Sequence, residues 1–141
     1  MANPSRFRKI GLTGRSSAST NTLDSSLQTF EAPVTIVAST AEQDTGITLP
    51  AQGIVIGASV RVETAEATGL TKTIDVGITS NADAIIDGAS VSAVGTVGKT
   101  AGAGELASVS CAGSNITYAL GSADFAELDA TILVTVLRTE V

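Results

Sequence analysis

The segment Ala93-Val94-Gly95-Thr96-Val97-Gly98-Lys99-Thr100 ends in the Gly-Lys-Thr of a phosphate-binding loop. That chemistry needs backbone N–H groups curled around phosphate, a lysine on the terminal oxygens and a helix opening at the threonine. Two features oppose it: alanine stands at 93 where the first glycine belongs, and Ala101-Gly102-Ala103-Gly104 follows where the helix should run. The segment therefore reads as an exposed Gly-rich hairpin loop. Gly102-Ala103-Gly104-Glu105-Leu106-Ala107 imitates a dinucleotide fingerprint but has no strand–helix–strand frame around it. Asn81, Asp83 and Asp87, with Asp75 nearby, offer hard oxygen ligands for calcium, yet Gly88 is misplaced and no trailing glutamate completes a calcium loop. Asp and Asn beside Gly are more simply turn-formers. The 14 acidic residues allow many carboxylate pairs, and no spacing singles one out.

Other chemistries are closed by composition. The chain contains no His, so it can build neither a Ser-His-Asp triad nor a His-ligated metal site. A single cysteine, Cys111, excludes an intrachain disulfide, a thiolate zinc cage and an iron–sulfur site. Cys111 reads as a small buried apolar side chain. The expectation is a protein that is not an enzyme and carries no cofactor or metal. No run of 18 apolar residues is present, which leaves no membrane-spanning helix.

Charge is unevenly placed. Arg6, Arg8, Lys9 and Arg15 put four positive charges and no acid into the first 15 residues, whereas residues 16–141 carry 4 basic and 14 acidic groups. This describes a basic arm on an acidic body, and such an arm can dock on an acidic surface, touch nucleic acid or stand as a solvated tail that aids solubility. Four charges with one interleaved aromatic, Phe7, are too few to indicate sequence-specific DNA binding, so no nucleic-acid partner is expected. The opening residues lack an apolar stretch behind the positive charges, so no secretory signal is read and synthesis in a cytoplasm is expected.

The elements that must carry these residues differ between two regions. Residues 1–30 are polar and rich in Ser and Thr, with apolar residues such as Leu12, Leu23, Leu27 and Phe30 isolated from one another. They read as an extended arm unable to bury enough surface to fold alone. Its candidate partner-binding residues are Arg6, Phe7, Arg8, Lys9, Arg15, Leu23, Leu27 and Phe30. Residues 31–141 read as one domain. There, short β-branched runs alternate with Gly, Asn and Asp: 34–37, 46–49, 54–56, 60–64, 71–79, 91–97, 106–111, 116–120 and 130–137. Gly57 separates two of these runs and predicts a bulge or bend. Ile74, Val76 and Ile78 alternate with Thr73, Asp75 and Gly77, the period of a half-buried strand. The run 130–137 is the longest and most apolar, which places it centrally in a sheet. A single helical turn over Ser122–Leu128, capped by Ser122, is the only helix predicted. The fold class is all-β, a sandwich or barrel. With 21 Ala, 14 Gly and only four aromatic residues the core is thin, which predicts an oligomer.

Three stretches resemble a known family, the small jelly-roll decoration (cement) and related structural proteins of tailed bacteriophage virions. The first is Leu49-Pro50-Ala51-Gln52-Gly53-Ile54-Val55-Ile56 leading into Val60-Arg61-Val62-Glu63-Thr64. The second is Ile74-Asp75-Val76-Gly77 after a polar tip at Ala67-Thr68-Gly69. The third is Asp129-Ala130-Thr131-Ile132-Leu133-Val134-Thr135-Val136, similar to the closing strand. In such proteins that strand often begins with Gly and ends in an aromatic, whereas Asp129-Ala130 and Leu137-Arg138 stand here. Head decoration, fibre base and tail component therefore stay open. The resemblance implies a jelly-roll β-sandwich, a homotrimer on the outer capsid surface, the major capsid protein as partner and no enzymatic role. The alternative is a β-sandwich that binds carbohydrate or a host receptor. The scarcity of aromatic platforms weighs against that alternative.

Overall fold

The computed structural model describes residues 27–66, 72–100 and 109–139. Eight strands follow in chain order: β1 (Leu27–Pro33), β2 (Gln43–Thr48), β3 (Ile54–Thr64), β4 (Thr73–Ile78), β5 (Asn81–Ser90), β6 (Gly95–Thr100), β7 (Asn115–Leu120) and β8 (Asp129–Leu137). They form two antiparallel sheets, ordered β1-β8-β3-β6 and β2-β7-β4-β5. The pairings β1–β8, β2–β7, β3–β6 and β4–β5 are those of one long hairpin rolled into two layers. That is the strand order of an eight-stranded jelly roll. The described residues contain no helix.

Alternation builds the core. On β8, Ala130, Ile132, Val134 and Val136 are buried, while Thr131, Leu133, Thr135 and Leu137 on the other face are only half-buried. β8 lies between β1 and β3, the central position its apolar run predicts. On β3 the buried set moves from Val55 to Ala58, Val60 and Val62. The parity changes because the register with β8 slips between Val55 and Gly57. An extra residue on one strand reverses the facing of everything after it, and the predicted bulge at Gly57 is present. Opposite, Ile74 and Val76 of β4, Ile85 and Ile86 of β5, and Ile116, Tyr118 and Leu120 of β7 complete the core.

Several expectations are corrected. The boundary at residue 30 falls inside β1, so Leu27–Phe30 belong to the sandwich. Phe30 packs against the core, and Thr29 Oγ1 meets Thr135 Oγ1 at 3.2 Å across the ladder. The predicted run 34–37 is not a strand. Its backbone is held by the Tyr118 hydroxyl, which accepts the Thr35 N–H at 2.9 Å and donates to the Thr35 carbonyl at 2.7 Å. The acidic stretch 81–90, read as turn-formers, is β5. Only the second half of the 91–97 run is strand, because β6 begins at Gly95. The expected helical turn at 122–128 is irregular backbone instead. Its amides are taken by the Glu66 carboxylate, which receives the N–H groups of Ala126, Glu127 and Leu128 at 2.7, 2.8 and 3.3 Å. Residues 106–108 of the predicted 106–111 run, and the tip at 67–69, lie outside the described residues.

Candidate functional site

The Gly-Lys-Thr segment forms β6, extended along β3, with Val60 opposite Val97 and Ser59 opposite Gly98. It is a sheet edge, and the predicted hairpin loop is not there. A Cβ at Gly98 would lie 2.2 Å from the Ala58 carbonyl oxygen, so this glycine serves close strand approach. An extended, paired backbone cannot present the curled amides that a phosphate requires. Gly102–Ala107 lie outside the described residues.

The oxygen-rich residues on β4 and β5 are not gathered around one point. The Asp75 carboxylate accepts the Gly88 N–H at 2.8 Å. Among the described residues no three His, Cys, Asp or Glu side chains are grouped to hold a metal ion. Asp83 and Asp87, both exposed, instead share a cleft of about 530 Å³ with Asn81, Ser110, Ile78, Ala84 and Val109. This cleft sets two carboxylates, with Asn81 and Ser110, beside the apolar side chains of Ile78, Ala84 and Val109. Such a lining suits a cationic side chain accompanied by an apolar one.

The two sheets differ in charge. The strands β2, β7, β4 and β5 contain Asp44, Asp75, Asp83 and Asp87 and no lysine or arginine. The strands of the other sheet carry Glu31, Glu63 and Asp129 against Arg61 and Lys99, with Arg61 Nε bonded to Glu63 Oε2 at 2.8 Å. Asp44 is held below the usual carboxylate range by the Asn115 side-chain amide and then by the Gly46 N–H. The strands of one sheet therefore carry four carboxylates with no cation among them, and those of the other a nearly balanced set.

The opposite end of the sandwich holds two buried charges that sequence reasoning passed over, Glu66 and Lys72, with 1% and 5% exposure. Lys72 Nζ pairs with the Asp124 carboxylate and lies 5.2 Å from the centre of the Phe125 ring. The ammonium, and then the Ser122 hydroxyl, hold the Asp124 carboxyl down at about 2. These contacts tie the loop after β7 to the start of β4 and the end of β3. A signal existed: Lys72 is in phase with Ile74 and Val76, and Glu66 with Val60 and Val62. Cys111 is buried, as expected, and desolvation pushes its thiol pKa up.

Of the predicted partner-binding residues, Arg6, Phe7, Arg8, Lys9, Arg15 and Leu23 lie outside the described residues. Leu27 and Phe30 sit on β1, Leu27 with 54% exposure. One row of strand partners crosses the sheet from that point: Leu27 faces Leu137, Leu137 faces Ile54, and Ile54 bridges to Ser110 in the acidic cleft. The point where the arm joins the body and the cleft thus share one end of the molecule.

No protein-family model and no curated protein matches the sequence. Among solved structures, a chain described as "Cyanophage Pam1 capsid asymmetric unit" is similar in fold, with a TM-score of 0.60 and 17% identity. The similarity covers 97% of this chain and 98% of that one.

Proposed function

We propose that this chain is a non-enzymatic structural protein of a bacteriophage virion. In this reading it decorates or cements the outer surface of the capsid as a homotrimer, with the major capsid protein as its partner and no cofactor. The observation that supports it most is the end-to-end likeness of its jelly roll to a chain from a cyanophage capsid. The arm contributes the contact: its four basic residues pair with acidic groups on the shell, and Phe7 and Leu23 bury against it. Neither nucleic acid nor membrane takes part.

Co-sedimentation with intact particles tests this reading. The protein is expected to travel with the particles in multiples of three per lattice site. Replacing Arg6, Arg8, Lys9 and Arg15 by Gln should weaken the association more at low than at high salt, because exposed charges are screened within about 10 Å at 0.1 M salt. A chain that stays at the top of the gradient, or a stable monomer at high micromolar concentration, overturns it.

A further inference from the structure

We infer that the acidic cleft at the start of β5 is a receptor for the chain's own N-terminal arm, and that Arg6-Phe7-Arg8 is the segment it takes. The inference concerns the free protein; on a particle the same segment leaves the cleft for the shell contact proposed above. The first observation is chemical. The cleft sets the exposed carboxylates of Asp83 and Asp87 among the apolar side chains of Ile78, Ala84 and Val109. The arm offers the complementary order, a phenylalanine flanked on each side by an arginine. Phe7 fills the apolar lining, and the long arginine stems reach back to the carboxylates. The volume of about 530 Å³ holds an aromatic side chain with room for its neighbours. The sheet carrying β5 has no basic residue on its strands to compete for those carboxylates.

The second observation is geometric and puts the cleft within reach of the chain's own arm. Leu27, where the arm joins the body, is three strand steps from Ser110 along the row Leu27–Leu137–Ile54–Ser110. At about 4.8 Å per step this is roughly 15 Å. A Ser-rich linker of the length that separates Arg8 from Leu27 has a root-mean-square reach of about 25 Å. The span therefore lies well within reach, and the effective concentration of the tethered segment is in the millimolar range. A separate molecule in solution matches that only at millimolar protein, and an arm exchanged within the proposed trimer is told apart by dilution to monomer.

The chain has no tryptophan, so Phe7→Trp introduces a single indole reporter at the seat. In isolated full-length protein the emission is expected to be blue-shifted and shielded from acrylamide, with neither property changing on dilution to monomer. Adding Asp83→Lys and Asp87→Lys, two exposed positions, should red-shift the emission and raise quenching to that of a free indole. An unchanged far-UV circular dichroism spectrum would show the body intact. Three results overturn the inference. They are solvent-type emission in the Phe7→Trp protein, shielding that survives the two lysine substitutions, and shielding lost on dilution, which would put the arm on another copy.

Discussion

Thr117 stands on the outward side of β7, between Ile116 and Tyr118 of the core, yet it is buried to 1% exposure. The start of β5 accounts for this. Thr117 faces Gly77 across the ladder, and a Cβ at Gly77 would lie 1.9 Å from the Asn81 carbonyl oxygen, so β5 crosses directly over this spot. Only glycine fits beneath it. The Thr117 hydroxyl has no hydrogen-bond partner among the described residues. Replacing it with the near-isosteric valine removes a desolvated polar group, so Thr117→Val is expected to raise unfolding free energy by about 1 kcal/mol. Urea denaturation reads this directly, and a loss of stability would mean that the hydroxyl has a partner. Asp124 gives a second residue-level outcome. Its folded pKa, about 2, is depressed from 3.8 by Lys72 and then Ser122. The ionised form is therefore the one the fold favours. Its stabilisation is complete above about pH 4 and is lost as pH falls through about 2. Melting curves across this window should fall less steeply for Asp124→Asn than for the unmodified protein. Equal slopes would show that the Lys72 pairing contributes nothing to stability.

Strand β8 tests the alternation on which the sandwich is built. Ile132 is fully buried whereas Leu133, its neighbour, is half-buried on the outer face. Ile132→Ala should cost about 3 kcal/mol through lost burial and the cavity left behind. Leu133→Ala should cost less than about 1.5 kcal/mol, and similar costs at the two sites would contradict the assigned facing. β8, β7 and β4 were legible because their apolar residues recur at period two or form an unbroken run, which is the signature of a buried face. The bulge in β3 was legible from Gly57. β5 was hidden because Asn81, Asp83, Asp87 and Gly88 are turn-forming types, and its pairing with β4 is broken by register shifts. β1 was hidden because Gln28, Thr29 and Glu31 make it look like a polar tail. Only pairing with the apolar β8 makes a strand of it, and that partner is a hundred residues away in sequence. The run 34–37 misled for the converse reason, since its β-branched residues link the two sheets and the Thr35 backbone bonds to the Tyr118 hydroxyl instead of to a strand. The candidate cleft was half legible. Its acids were noticed as oxygen donors, but their union with Val109 and Ile78 depends on the fold alone.

At the scale of the whole molecule, the strands of the two sheets differ in charge balance, and the basic arm belongs to the same chain as the acidic sheet. Ligands suggested by short motifs find no frame in this architecture. ATP, GTP or Ca²⁺ is expected to leave the melting temperature unchanged, whereas a specific ligand at 100 times its Kd would add about 2.7 kcal/mol. A nucleotide-induced rise abolished by Lys99→Ala would reinstate the phosphate loop. The position of β8 also governs how the protein is made. Because it lies between β1 and β3, one sheet has no centre until Leu137 has been synthesised and has cleared the ribosome. The first strand then waits, unpaired, through the synthesis of the seven that follow, and its ladder closes a loop of about a hundred residues. Such non-local closure is slow and leaves strand edges open to neighbouring nascent chains. Translation of this protein on crowded polysomes therefore carries an aggregation hazard. A version ending at Leu128, which exposes the facing edges of β1 and β3 permanently, should collect in the insoluble fraction.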